Sequence, residues 1–505
     1  MPALLDVSVN RRPRLRVWLD LGLRSAWLGP LLTVLITFGG ALVTGLLVAK
    51  AGLVVGIVFA GLPAVVIVTA IVYARPISGL YAAVGVSFFG PGLSRYVPAP
   101  TGLMLDGFLV LTLLVIALRW REGRYDATRL HNVFVFMALA WLGLTALQLA
   151  NPLAPGPVAW FYAGRGTTFY VIQTAIVALL LIQRKAQLQR LIWIWLGLSF
   201  VGTLWGMKQL FIGLDGAEQA WLSVPGNLST HVLFGKLRVF SFYSDAGQFG
   251  AAQGCVGIVG LILAVGPYPL KRRILYGLLG LAGVYGLLIS GTRGAMAVPA
   301  AGGVTYLLLS RNIKMMVIGA LAILALYSVL MFTSIGSGIY AVQRFRAGLK
   351  SGSDNNSLKV RHENQAKLKA WLAGNPLGGG IGSAGSWGKR FAPGTFLAEL
   401  ALDSWYVRLM AEYGRYGMWL YVLGLLAVLA GAARRMLAVK DRALQHTLLA
   451  LLAGACGIAA ASYGNQVLGQ MPTSPFIYVS IAACYLGPYL DRETQDDALH
   501  GDKAA

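Results

Sequence analysis

Charged residues are scarce in this sequence. They make up 12% of its 505 positions, whereas 57% of the positions are hydrophobic and the mean hydropathy is +0.67. A soluble globular domain carries about 25% charged residues. The shortage therefore argues against an ordinary soluble domain and predicts a polytopic membrane protein.

Acidic residues are the scarcer charged class. The chain has 19 Asp and Glu against 42 Lys and Arg, a net charge of +23. Such an excess is also typical of nucleic-acid-binding proteins. Here, however, the basic residues are scattered at the ends of apolar runs and are not gathered in one soluble region. This distribution favours membrane topology and contact with anionic membrane lipids, and no nucleic-acid partner is expected.

Cysteine is nearly absent. The three cysteines, Cys255, Cys456 and Cys484, all lie within apolar runs, where they behave as small hydrophobic residues. No disulfide framework and no thiolate metal site are expected. The outer loops also contain no carboxylate pair of the Asp-x-Asp type, so no metal site is expected. No other cofactor is expected.

Long apolar runs, in contrast, are abundant. An α-helix rises about 1.5 Å per residue and a bilayer core is about 30 Å thick, so one span needs about 20 residues. We therefore expect an all-α polytopic membrane protein with about fourteen (12 to 14) transmembrane helices. The runs are 29–49, 51–74, 76–91, 103–118, 132–150, 167–183, 191–207, 246–266, 274–290, 294–310, 315–335, 415–433, 446–463 and 473–490.

The basic residues between these runs predict the orientation of the chain. By the positive-inside rule, the side that collects most Lys and Arg, and both termini, is cytoplasmic. The predicted organisation is a basic cytoplasmic tail (1–28, not a cleaved signal), a bundle of helices 1–11 (29–335, with an extracytoplasmic loop at 208–245), a long periplasmic loop (336–414), helices 12–14 (415–490) and a cytoplasmic tail (491–505).

The long loop between helices 11 and 12 is expected to contain two helices. "SLKVRHENQAKLKAWLAGNP" has helical spacing and a Gly-Asn-Pro stop, which predicts about four turns. "GGGIGSAGSWG" then predicts a mobile glycine-rich link. "FLAELALDSWYVRLMAEYG" predicts the second helix, which leads into the next span.

Three outer segments place an arginine or a carboxylate at a helix end: 236–254, 290–295, and the loop from Arg361 through 402–417. Several guanidinium groups at one membrane face suit a diphosphate, because the planar fork binds phosphate oxygens bidentately. A transferase that uses a lipid-diphosphate donor also needs a base for the attacking hydroxyl. The diphosphate candidates are Arg238, Arg293, Arg361 and Arg165, and the base candidates are Asp403 and His362.

These segments resemble the O-antigen ligase and Wzy-type polysaccharide polymerase superfamily. The resemblance rests on "RVFSFYSDAGQFG" with Arg238, "SGTRGA" with Arg293, Arg361 followed by "NPLGGGIGSAG", and "LDSWYVRLMAEYGRYG". Ligases of this family usually have a histidine where this chain has Asp403. The resemblance covers roughly residues 236–420.

The resemblance implies a metal-independent glycosyltransferase in the bacterial inner membrane, with its active site facing the periplasm. It would polymerise glycan repeats from an undecaprenyl-diphosphate-linked donor onto a lipid-linked acceptor, with inversion. Trp405, Tyr406 and Trp387 would contact sugars. A flippase and a chain-length regulator would be protein partners. The alternatives are a ligase that transfers finished polymer to lipid A core or a protein, and a transporter of lipid-linked oligosaccharide.

Each candidate residue also has a structural explanation. The arginines suit interfacial side chains that reach lipid phosphates, and Arg165 suits an anchor in an aromatic belt. Asp403 suits a helix N-cap. His362 suits an exposed loop helix, and the tryptophans and tyrosines suit a membrane interface.

Overall fold

The computed structural model describes residues 39–40, 53–97, 100–233, 235–310, 317, 328, 331–334, 343, 346 and 356–501. The chain divides into two compact units, Met1–Ala74 and Arg75–Ala505. The first contains helix α1 (Leu53–Ala74), and the second contains all elements named below. The predicted N-terminal tail at 1–28 and most of the predicted spans at 29–49 and 315–335 lie outside the described residues.

The described part of the second unit is almost entirely helical, with one two-stranded hairpin. Its helices are α2 (Ile77–Leu93), α3 (Leu103–Leu118), α4 (Val133–Leu147), α5 (Pro157–Gly164), α6 (Tyr170–Leu181), α7 (Lys185–Phe211), α8 (Gly216–Leu222), α9 (Asn227–His231), α10 (Ala246–Ala264), α11 (Leu270–Ile289), α12 (Ala297–Ser310), α13 (Asn356–Gly374), α14 (Gly385–Phe391), α15 (Phe396–Glu399), α16 (Trp405–Leu437), α17 (Arg442–Ala461) and α18 (Thr473–Gly501). Strands β1 (Val232–Leu233) and β2 (Lys236–Leu237) pair antiparallel.

Seven helical segments of the described residues are long and apolar enough to cross a membrane. This agrees with an all-α membrane protein but not with the predicted count of fourteen. The predicted runs at 76–91 and 103–118 form helices of 17 and 16 residues, shorter than the about 20 residues that one span needs. For the run at 294–310, the described range ends with α12 at Ser310. The seven segments are Val133–Ala150, Pro157–Leu181, Lys185–Phe211, Ala246–Ala264, Leu270–Ile289, Trp405–Leu437 and Arg442–Ala461.

Small residues allow the tightest helix packing in the bundle. Helices α10 and α11 approach so closely that a Cβ at Gly260 would lie 2.7 Å from the Cα of Gly280. Close backbone approach at glycine is the usual device of helix association in membranes. Helix α17 packs on α10, α12 and α18, so these helices form the centre of the unit.

The part of the long loop that the structure describes differs from the sequence prediction. The first loop helix is confirmed as α13, but α14 and α15 are additional short helices. The predicted second helix is the beginning of α16, which continues into the span through a non-helical residue, Gly414 (φ 76°). The helix therefore starts at 405 and not at 415, and α18 extends to residue 501 through much of the predicted C-terminal tail.

The glycine-rich link is buried, not mobile. Gly379 N–H donates to the Ala411 carbonyl at 2.9 Å and Gly380 N–H donates to the Glu412 carbonyl at 3.0 Å. A Cβ at Gly414 would lie 2.1 Å from the Pro376 carbonyl oxygen, so only glycine fits at this crossing. The link is thus a fixed support for the start of α16.

Candidate functional site

The connection between α17 and α18, residues 462–472 ("SYGNQVLGQMP"), organises one end of the unit. The Gln248 side chain donates to the carbonyls of Gln466 and Val467 at 3.0 and 3.1 Å. The backbone N–H of Trp405 donates to the Ser462 carbonyl at 3.0 Å. The connection therefore joins the beginning of α10 to the beginning of α16, two of the three segments that the sequence singled out.

Asn465 links the connection to the third segment, the Ser-Gly-Thr-Arg-Gly turn. A Cβ at Gly294 would lie 2.6 Å from Asn465 Nδ2, and a Cβ at Gly247 would lie 3.4 Å from its Oδ1. A Cβ at Gly464 would lie 4.0 Å from Arg361 Nη1. The three predicted segments thus converge around Asn465, whose buried Nδ2 has no hydrogen-bond partner in the described residues.

Arg238 is held against the turn that carries Arg293. Its Nη2 donates to Thr292 Oγ1 at 2.7 Å and its Nη1 donates to the Thr230 carbonyl at 2.9 Å. The Thr292 hydroxyl in turn donates to the Ala246 carbonyl at 3.0 Å. Arg293 follows directly in a short 3₁₀ turn (Arg293–Met296) and is half-buried. Arg238 and Arg293 are therefore close in the fold although they are far apart in the sequence.

Arg361 and Asp403 form an exposed ion pair at this cluster. Their Nη2 and Oδ2 atoms lie 3.4 Å apart, and the two side chains are 23% and 64% exposed. Asp403 does not cap α16, contrary to one structural explanation, because the cap is the neighbouring Ser404. His362 lies exposed on α13, next to Arg361. The structure thus brings Asp403 to the arginines but places His362 on the solvent side.

A cavity of about 600 Å³ opens beside this cluster. The connection contributes Gln466, Gly469 and Gln470 to its wall, and α16 contributes Trp405 and Arg408. Arg165 also lines this cavity, on a π-helical turn (Arg165–Phe169) between α5 and α6. We call this space the central cavity.

Arg165 is buried and neutralised. Its Nε donates to Asp106 Oδ2 at 2.9 Å, and its Nη2 donates to the Gly102 carbonyl at 2.7 Å. A third bond reaches the Tyr170 hydroxyl at 3.0 Å. The side chain is therefore not an anchor in an aromatic belt, and its charge is already matched by Asp106.

Arg408 is a site residue that the sequence analysis missed. Its Nε lies 3.3 Å from Glu412 Oε1 and its Nη1 donates to Gln466 Oε1 at 3.3 Å. Nη2 has no partner in the described residues, although the side chain is only 8% exposed. A buried guanidinium N–H without an acceptor, in the wall of a cavity, is a strong donor for an anionic ligand. The spacing Arg-x-x-x-Glu within "LDSWYVRLMAEYGRYG" was the available signal.

Aromatic side chains form another wall of the central cavity. Trp387 and Tyr162 pack with ring centroids 5.6 Å apart, and the Arg390 guanidinium lies 5.1 Å from the Tyr162 ring centroid. Trp405 also lines the cavity, but Tyr406 does not, because it donates its hydroxyl to the Ala459 carbonyl at 2.7 Å. Two of the three predicted sugar contacts are therefore at the cavity.

Asp245 is a second residue that the sequence analysis missed. It lines the central cavity, and its Oδ1 caps α10 by accepting the Gln248 N–H at 2.9 Å. Ser244 Oγ lies 3.1 Å from Asp245 Oδ2 and 2.9 Å from Gln470 Oε1, so its one proton is shared between these two acceptors. The available signal was the position of this aspartate in the motif "RVFSFYSDAGQFG", directly before an apolar run.

Two basic residues outside the spans hold the segment before Asp245. Arg95 donates to the Ser241 carbonyl at 2.6 Å and stacks at 4.5 Å on both Trp221 and Phe240, and burial lowers its pKa to about 10. His231 packs on the same two rings. Burial lowers the pKa of His231, since charging the ring without water is unfavourable. Both therefore serve the packing of this segment.

The arrangement is chemically suited to an anionic, partly apolar ligand. It combines guanidinium donors, a carboxylate in the central cavity, a second carboxylate paired with Arg361, and an aromatic wall. No group of three His, Cys, Asp or Glu residues that could hold a metal ion occurs in the described ranges. Neither models of known protein families nor curated proteins gave a match to this chain.

Proposed function

We propose that this protein is a membrane glycosyltransferase that polymerises glycan repeat units carried on undecaprenyl diphosphate, at the periplasmic face of the bacterial inner membrane. The observation that carries the proposal is the convergence of three distant arginine-bearing segments beside one cavity with a buried, unsatisfied Arg408 Nη2. Such a site matches a donor that combines a diphosphate, a sugar and a long apolar tail.

The proposed roles follow from charge and burial. Arg238, Arg293 and Arg361 hold the diphosphate together with Arg408, while Arg165 supports the cavity wall through its pair with Asp106. Trp387 and Trp405 face the sugars. Guanidinium donors that meet the charge developing on the leaving diphosphate lower the barrier for its departure.

The reaction is a displacement at the anomeric carbon. The hydroxyl of the acceptor glycan attacks, the new glycosidic C–O bond forms, and the bond to the diphosphate breaks with inversion. The hydroxyl proton passes to a carboxylate. Two carboxylates are candidates for this base: Asp403, which pairs with Arg361, and Asp245, which lines the central cavity. Asp106 and Glu412 are already paired with buried arginines. His362 would serve only if α13 turned toward the cavity.

The test is deletion of the gene in its host, followed by mass spectrometry of undecaprenyl-diphosphate-linked glycans. A polymerase predicts accumulation of single repeat units. Accumulation of long lipid-linked polymer would indicate a ligase instead, and unchanged lipid-linked glycans would contradict both. A transporter predicts repeat units that remain on the cytoplasmic face, where an impermeant glycosidase cannot reach them.

Complementation with point variants tests the residue roles. Arg293→Gln, Arg238→Gln and Arg408→Met should each reduce polymer by about a hundredfold or more, since loss of one transition-state donor costs about that much. Arg434→Gln is the matched control, because Arg434 is exposed at the far end of α16. Asp245→Asn and Asp403→Asn test which carboxylate is the base. Asn caps a helix about as well as Asp does, so a loss of activity in Asp245→Asn would result from the loss of the negative charge and not from the loss of the cap.

A further inference from the structure

A second polar cavity lies at the opposite end of the same helices. Helix α10 runs from the cap Asp245 to Ala264, and α17 runs from Arg442 to Ala461. With about 1.5 Å per residue, each spans about 30 Å, the thickness of a bilayer core. The cavity of about 310 Å³ that Val265 and Arg442 line is therefore at the other bilayer face from the central cavity.

This second cavity has a basic, hydrogen-bonding side. Arg442, Gln445, His446 and Ser310 line it, and none of the described residues that line it is acidic. Arg442 is exposed and has no ion pair or hydrogen bond in the described residues. The neighbouring Asp441 is already engaged, since its carboxylate binds Lys185 and accepts the N–H groups of Ala443 and Leu444. The positive charge of Arg442 therefore remains available at the cavity.

His446 adds an acceptor to this side. Its Nε2 lies 2.7 Å from the Ile262 carbonyl, which only accepts, so Nε2 carries the proton. In the neutral ring Nδ1 is then an acceptor. Gln445 donates its Nε2 to the Val439 carbonyl at 3.0 Å, which leaves its side-chain oxygen as a further acceptor. A cation beside two acceptors matches a phosphate that carries a hydroxyl-bearing group.

The remaining wall of the second cavity is apolar. Leu309, Leu437 and Leu449 face the same space. The helix ends and the connection on the same membrane face carry further cations, namely Lys271, Arg272, Arg273, Arg434, Arg435 and Lys440. A basic pocket between helices with an aliphatic wall at a membrane face has the character of a lipid headgroup site.

We infer that the second cavity binds the headgroup of an anionic phospholipid, with the phosphate on Arg442, a headgroup hydroxyl at Gln445 and His446, and the first acyl methylenes on the leucines. The site is separate from the proposed transferase chemistry and does not depend on it. An inorganic phosphate ion shares the charged part of this chemistry, but it leaves the aliphatic wall and the acceptors unused.

The experiment uses the purified full-length chain in neutral detergent. Short-chain phosphatidylglycerol is titrated while the thermal midpoint is followed, and native mass spectrometry counts the retained lipids. Phosphatidylcholine and inorganic phosphate are titrated in parallel. We expect saturable stabilisation by phosphatidylglycerol alone, and an affinity about tenfold lower in Arg442→Gln, as expected for loss of one charged hydrogen bond.

The matched control is Arg434→Gln. Arg434 is an exposed arginine in the last turn of α16, and it does not line the second cavity. The variant should bind phosphatidylglycerol with unchanged affinity. Equal loss in both variants would mean a diffuse charge effect and would overturn the site. Stabilisation by inorganic phosphate to the same extent, or equal binding of phosphatidylcholine, would overturn the lipid assignment.

Discussion

Two sets of arginines at one end of the second unit are held in different ways. In the central cavity, Arg165 and Arg408 are no more than 9% exposed, and each has a carboxylate partner, Asp106 or Glu412. Around Asn465, Arg238 bonds to a hydroxyl and Arg361 to a mostly exposed carboxylate. Burial of a charge is costly unless the charge is paired, whereas a half-exposed cation keeps part of its hydration.

This difference determines what a substrate can gain from each set. The paired arginines are fixed in place and offer a substrate only the N–H groups that their carboxylates leave unused. The half-exposed arginines exchange water or a weak partner for a phosphate. A diphosphate at the junction would therefore be positioned by the first set and neutralised by the second.

The largest effect should follow from breaking the buried pair at Arg408. Glu412→Gln leaves the guanidinium buried without a charge partner, which costs about 3 to 5 kcal/mol. Glu412 is fully buried, so water does not compensate. Thermal unfolding in detergent should show the loss, with the exposed Glu399→Gln as a control in the same loop. An unchanged midpoint for Glu412→Gln would remove the contrast between the two sets.

A second test concerns the glycine crossing that supports this pair. Gly414→Ala should cost about 2 to 5 kcal/mol, because it adds backbone strain at φ 76° to a clash with the Pro376 carbonyl. Gly385 also has a positive φ, but the space around it is open. Gly385→Ala should therefore cost only about 1 to 2 kcal/mol. Equal losses would show that strain alone decides, and that the buried crossing adds nothing.

Much of this end of the fold was predictable from sequence patterns. Helix α13 followed from its spacing and its Gly-Asn-Pro stop, and Arg238, Arg293 and Asp403 were recognisable as polar residues at the ends of apolar runs. The convergence of their segments was not predictable, since it depends on Asn465 and Gln466 in a connection that carries no charge. Two glycines at 247 and 294 create the space for Asn465, and spacing along the chain does not reveal such contacts.

The buried pair of Arg165 and Asp106 was missed for a related reason. Asp106 and Arg165 are 59 positions apart, so neither signals the other in the sequence. Hydropathy averages over a single charge, so Asp106 left no trace in the apolar run at 103–118. The runs predicted more spans than the described residues contain, because some of them form helices shorter than one span needs. The glycine-rich link was misjudged because glycine indicates freedom in an isolated chain, whereas here it permits close packing against α16.

The stability of the protein should depend on pH through His231, which packs in the segment between Arg238 and Trp221. Burial against Trp221 and Phe240, and the charges of Arg238 and Arg95, lower the pKa of His231 below its unfolded value of about 6.5. The contribution of the neutral ring to stability is therefore complete above about pH 6.5 and is lost as the pH falls toward the folded-state pKa. Thermal unfolding between about pH 7.5 and pH 5.5 should show the decline.

The matched variant for this dependence is His231→Gln, which does not titrate. Its stability at neutral pH should be somewhat lower, but its decline over the same pH range should be smaller than that of the wild type. Identical pH profiles for the two proteins would assign the dependence to other groups. The effect should be smaller than that of Glu412→Gln, because only one proton is involved.

The smallest effect on stability is expected at the exposed pair. Asp403→Asn should change the free energy of unfolding by less than about 1 kcal/mol, because the carboxylate is 64% exposed and such pairs are screened by water. Glu363→Gln, another exposed carboxylate of the loop, is the control. Polymer formation in the host is the second measurement. If Asp403 is the base, its variant folds normally but makes no polymer, whereas a large loss of stability would mean that the pair with Arg361 supports the fold and that the half-exposed set is structural after all.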